Sequence, residues 1–162
     1  MRKLCILLVS IVLLAGCAAK PVFEQVGDVY NPSQMSEPKR IRINLPADAS
    51  SQVLSGDTGI MYFCDGYEIM IQTLPSGNLD GTLKSITGYE RESLSVLQTR
   101  TGELKRYECA WTAAGEGGDW VCRMVVLDDG SYHYSVAVMA DAMDAGALQE
   151  SWQELLGSIV LS

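Results

Sequence analysis

The feature that most constrains this chain is a run that turns back on itself within fourteen residues, GIMYFCDGYEIMIQ, residues 59–72. Two β-rich halves flank Asp65-Gly66, a pair that favours the positive backbone angles of a two-residue hairpin turn. Such a turn sets Cys64 opposite Tyr67, Tyr62 opposite Ile69 and Ile60 opposite Ile71 on one side. The other side carries Met61, Phe63, Glu68, Met70 and Gln72. The first side is the more apolar and is assigned to the core, because side chains alternate across a strand with a period of two.

The same punctuation recurs along the chain. In IRINLP, Ile41, Ile43 and Leu45 share one face and Arg42 and Asn44 the other, until Pro46 ends the run. The spacing of Leu79, Leu83 and Ile86 in SGNLDGTLKSITG predicts a short amphipathic helix ending at Gly88, weakened by Gly81. A strand is expected over Leu94–Thr99, then a turn at Thr101-Gly102 and a long strand to Trp111. Asp129-Gly130 marks another turn, returning the chain as SYHYSVAVM. A last helix follows Asp144, with Leu148, Trp152, Leu155, Leu156 and Ile159 as an apolar stripe and Gly157 as its C-terminal stop. About six antiparallel strands with helices packed on them make an α+β domain over residues 41–162.

One hairpin carries chemistry. In KRYECAWTAAGEGGDWVCRMVVL, a loop centred on Gly115-Glu116 pairs Cys109 with Cys122, Trp111 with Trp120 and Glu108 with Arg123. Opposed cysteines in a non-hydrogen-bonded antiparallel pair lie within reach of a disulfide, whose short loop limits its contribution to about 2–3 kcal/mol. Two buried reduced thiols are the other reading. Trp111 and Trp120 are either core or rim packing, or an exposed aromatic surface for a sugar, peptide or lipid.

The N-terminus is of another kind. Arg2 and Lys3 precede a nearly unbroken apolar run over Leu4–Leu14, too short to span a bilayer, and small residues lead to Cys17. The stretch Leu14-Ala15-Gly16-Cys17 resembles the lipobox of bacterial lipoproteins. That resemblance implies cleavage after Gly16, diacylglycerol on the Cys17 thiol and a stable membrane anchor built from several acyl chains. An ordinary secretory signal with an incidental Cys is the alternative. Ala18 is not the Asp that favours inner-membrane retention, so an outer membrane is expected in a host with two membranes, and otherwise the outer face of the cell membrane. Residues 17–40 are polar and contain Pro21, Pro32 and Pro38, which suits a tether; a first strand over Val26–Tyr30 is the competing expectation.

Removing the signal takes Arg2 and Lys3, so the net charge goes from −8 to −10. No basic stripe remains to displace counterions from nucleic acid. The order of elements, from INLP through a hairpin, a short helix and a meander to a terminal helix closing in GSIVL, resembles the Mog1/PsbP-like fold, which includes small bacterial lipoproteins of the DcrB kind. The resemblance implies a non-catalytic accessory or interaction role and transfers no functional residues. No metal or cofactor motif stands beside it: the single His133 lacks ligand-spaced companions, and LDDG lacks the alternating oxygens of a calcium loop. Two functions follow as expectations. One is a membrane-anchored envelope module binding a protein partner; the other is an envelope enzyme, thiol-dependent or a wall hydrolase, built on Cys64 or a carboxylate pair that the fold would have to assemble.

Overall fold

The Asp65-Gly66 hairpin forms in the expected register, with Cys64 opposite Tyr67, Tyr62 opposite Ile69 and Ile60 opposite Ile71. Gly66 takes φ +79°, a conformation that side chains disfavour, which is why the turn falls there. The computed structural model describes residues 36–54, 59–115 and 117–162, so Cys17 and the competing strand over Val26–Tyr30 lie outside the described residues. Ser36–Ser162 forms one compact unit.

In chain order the elements are β1 (Ile41–Arg42), β2 (Ser50–Val53), β3 (Gly59–Cys64), β4 (Tyr67–Pro75), α1 (Leu79–Thr87), a 3-10 turn (Arg91–Ser93), β5 (Leu97–Thr101), β6 (Leu104–Ala114), β7 (Asp119–Asp128), β8 (Tyr132–Asp141), α2 (Ala145–Gly157) and β9 (Val160–Leu161). Seven strands make one antiparallel sheet in the order β2-β3-β4-β8-β7-β6-β5, and β1 pairs with β9 in a second, two-stranded sheet. The class is α+β as expected, with more strands than the six anticipated. The unforeseen β2 reads SSQV and is exposed throughout, so it carries no burial pattern to announce it.

Each face of the large sheet has its own core. On the first, α2 lays Trp152, Leu155 and Leu156 over Val125, Val136 and Val138, and Ile41, Ile43 and Leu45 join from the chain before β2. On the second, α1 lays Leu83 over Tyr107, Met124 and Ala137, with Leu94 beside it. The central strands β7 and β8 are therefore buried on both faces, and their sequences run apolar without alternation. Asn78 caps α1 by accepting from Asp80 N–H at 3.0 Å, and Gly88 ends it at φ +77° while donating to the Lys84 carbonyl at 2.9 Å. The second helix stops at Ser158 rather than Gly157: the Ser158 N–H reaches the Glu154 and Leu155 carbonyls in right-handed geometry, so no glycine is required.

The β6–β7 hairpin corrects the expected register. Cys109 faces Met124, Trp111 faces Cys122, Ala113 faces Trp120 and Ala110 faces Arg123. The connection spans four residues, closed by Gly115 N–H to the Gly118 carbonyl at 2.8 Å, instead of two residues at Gly115-Glu116. A shift of two positions keeps every side chain on its predicted face while changing its partner. That is why the facial assignment survives and the pairings do not.

Candidate functional site

The register decides the cysteines first. Cys109 and Cys122 are diagonal neighbours and both are free, as is Cys64, which corrects the expected Cys109–Cys122 bridge. Burial pushes both thiols up to about 11, with Arg91 partly opposing the rise at Cys109, so neither is a ready nucleophile at neutral pH. Trp111 is 8% exposed and sits in the core under α1. The indole of Trp120 is half-buried and lies over the hairpin tip, where a Cβ on Gly115 would come within 2.4 Å of its Nε1. Trp111 and Trp120, no longer opposite each other, thus pack the hairpin and form no open aromatic platform.

Cys64 and His133 lie on opposite faces of the sheet, so the fold does not bring thiol and imidazole together. Cys64 packs in the α2-side core, where burial and the Asp48 charge raise its pKa and Tyr67 partly offsets them. His133 is 1% exposed on the α1 side, with Thr82 Oγ1 at 2.7 Å from Nδ1 and Asp128 Oδ1 at 4.0 Å from Nε2. Burial lowers its pKa against the pull of Asp128, and Lys105, paired to Asp128 at 3.2 Å, adds to the lowering. Thr82, His133 and Asp128 are all buried, so the trio ties α1 to β7 and β8 and presents no group to a substrate. Among the described residues no three His, Cys, Asp or Glu side chains converge as metal ligands.

The surface that can take a ligand is elsewhere. The second helix covers only part of its face, reaching Tyr67 at the start of β4, and over β2, β3 and the Ile71–Thr73 end of β4 the cover is the extended chain around β1. Between them lies a groove of about 720 Å³. Its floor is Val53, Ile60, Tyr62, Ile71 and Thr73, alternate residues on one face of three adjacent strands. Val53 is 62% exposed, an apolar side chain left open at a sheet edge. Gly59 also lines the groove, and it must be glycine because a Cβ would meet the Ile71 carbonyl oxygen at 2.3 Å.

The groove's other wall is the chain from Lys39 to Leu45, which brings Lys39, Arg40 and Arg42 to its rim. Lys39 is fixed: its Nζ lies 2.9 Å from Asp129 Oδ2, and its backbone N–H donates to the Tyr134 hydroxyl at 2.9 Å. Burial works to raise the Asp129 pKa. The Lys39 ammonium, the N–H groups of Tyr132 and Ser131 and the Tyr134 hydroxyl outweigh it and hold the carboxylate below its ordinary value. Arg40 and Arg42 are exposed and make no ion pair among the described residues. Sequence reading missed this site, since its basic rim is divided between the end of the segment read as a tether, with Lys39 and Arg40, and the first strand, with Arg42, and its floor is split across three strands.

No family model and no curated protein matches the sequence. Several solved structures are similar to this chain. PsbP of the cyanobacterium Synechocystis superposes at TM-score 0.56 with 6% identity, over 77% of this chain and 93% of the other. The fold is PsbP-like. A protein of Bacteroides thetaiotaomicron matches at TM-score 0.51 and 12% identity over 75% of this chain, which spans only 45% of that protein's length. LpqN of Mycobacterium tuberculosis, described as involved in cell envelope biogenesis, gives TM-score 0.48 and 11% identity over 78% of this chain and 86% of the other. At these identities the likeness concerns architecture alone.

Proposed function

We propose that this protein is a lipid-anchored lipoprotein of the cell envelope whose folded domain is a non-catalytic accessory module that binds another envelope protein. The observation that carries the binding role is the groove: an apolar floor, an exposed Val53 and two exposed guanidinium groups on a chain of net charge −8. Apolar surface with a few placed polar groups is how recognition sites are built. The lipobox-like Leu14-Ala15-Gly16-Cys17 supports the anchor, and Ala18 supports the outer membrane where two membranes exist, or the outer face of the cell membrane otherwise. Separation of Cys64 and His133 onto opposite faces disfavours a thiol-dependent enzyme.

Two measurements test this reading. Intact mass and detergent-phase partitioning should show a chain cleaved after Gly16 and carrying acyl mass, with both properties lost in Cys17→Ala; an uncleaved or acyl-free chain would overturn the anchor. A photo-crosslinking residue placed in cells at Val53, Leu97, Met143 or Gln153, all exposed, should give a discrete protein adduct from at least one position. No adduct from any of the four would overturn the binding role.

A further inference from the structure

We infer that the groove takes an extended, acid-rich segment of the protein partner, which adds as a strand to the open edge of β1. The inference rests on the binding role just proposed and adds where and how the partner is held.

The open edge follows from the pairing of β1 with β9. Arg40 and Ser162 exchange both backbone hydrogen bonds, at 2.9 and 3.0 Å. Hydrogen-bonded and non-hydrogen-bonded pairs alternate along an antiparallel ladder, so Ile41 opposite Leu161 is a non-hydrogen-bonded pair. Its N–H and C=O point away from β9, and by the same alternation so do those of Ile43. The Asn44 N–H, on the opposite phase, donates to Ser158 Oγ at 3.0 Å on the side of α2 and β9. The groove lies on the open side, because no residue of α2 or β9 lines it.

Three features then select the occupant. The β1 edge offers donors and acceptors in the repeat that another extended backbone matches. Apolar side chains at alternate positions of that backbone would meet Val53, Ile60 and Ile71 on the floor. Arg40 and Arg42 stand at the rim with charge to be met, and guanidinium groups pair well with carboxylates. A single-chain anionic lipid would satisfy the floor and the rim but has no backbone to offer the edge. The Lys39 N–H, on the same phase, is taken by the Tyr134 hydroxyl, so the open edge runs over Ile41–Leu45, roughly 13 Å at the rise of a strand, which suits a segment of about five residues.

The probe is a fluorescent heptapeptide, Asp-Val-Thr-Val-Thr-Val-Asp, titrated against the mature protein in detergent and followed by anisotropy. Comparators are the same peptide with Lys at both ends, one N-methylated on its valines, one N-methylated on its threonines, and lysophosphatidylglycerol as competitor below its micelle concentration. Alternate amides of a strand point to opposite edges, so one methylated peptide should keep its affinity and the other should lose at least about tenfold. The Lys-ended peptide and the Arg40→Glu/Arg42→Glu protein should lose a similar factor, the variant keeping the wild-type circular dichroism. Absent peptide binding, equal binding of both methylated peptides, indifference to end charge, or binding of the lysolipid in place of the peptide would each overturn strand addition. An adduct from Leu97, Met143 or Gln153 without one from Val53 would leave a binding module whose site is elsewhere, whereas no adduct at any position removes the underlying reading too.

Discussion

Two titratable residues, His133 and Asp129, set how this domain responds to acid. His133 is held neutral by burial, below its ordinary value of 6.5, while in the unfolded chain it takes up a proton near that value. The unfolded state then binds more protons, so stability falls as pH drops below 6.5 toward the folded pKa. Asp129, lowered from its ordinary 3.8 chiefly by Lys39 acting against its own burial, stabilises the fold above that value and loses its contribution as pH falls through its folded pKa. Urea unfolding from pH 7 to pH 5 should therefore show a declining midpoint, and His133→Gln should flatten the decline; an unchanged slope would contradict the neutral, buried imidazole. Trp152 supplies a second test, being fully buried with an indole N–H that has no partner among the described residues. Replacing it by Phe removes an orphan donor along with some packing, so Trp152→Phe should cost under about 2 kcal/mol, against about 3–5 for Trp152→Ala. Equal losses would mean that the N–H has a partner such as water. Thiol counting checks the corrected hairpin: the unfolded domain should alkylate at Cys64, Cys109 and Cys122, with the last two silent while folded. Alkylation at Cys64 alone would restore the bridge.

Elements with a local signal were legible from sequence, and those defined by their partners were not. The Asp65-Gly66 turn, the stripe Leu79, Leu83 and Ile86 and its Gly88 stop all depend on neighbouring residues, and each stands where its signal placed it. Gly88→Ala should cost about 1 kcal/mol by forcing a side chain into the left-handed region, and Asn78→Ala should cost about as much by removing the cap, both read from thermal unfolding. A negligible effect of either would contradict the helix ends described. The β6–β7 register was not legible, because two registers two residues apart leave identical faces. Three plausible cross-strand pairs then pointed to the wrong one. The same limit hid β2 and β9: β9 is only two residues long and β2 is exposed throughout, so both exist through pairing, whereas β1 opens the IRINLP run whose alternation announced it.

At the scale of the whole molecule, the cover on the sheet is what creates a site. One face is roofed by α1 and the chain after it. The other is roofed by α2 over its centre and by a bare extended segment over β2, β3 and the far end of β4, and the groove is where that roof thins. The α+β architecture was legible as a pattern. The groove was not, since its rim and floor are separated by up to three dozen residues and are united only by topology. The central claim is that this groove is where the envelope partner is held. Photo-crosslinking from Val53 in cells making the full-length protein, with and without Arg40→Glu/Arg42→Glu, is the direct test. One protein adduct that disappears in the double variant at unchanged protein level is expected; an adduct that persists undiminished without the two arginines, or its absence from the wild type, would rule the groove out as the place where the partner is held.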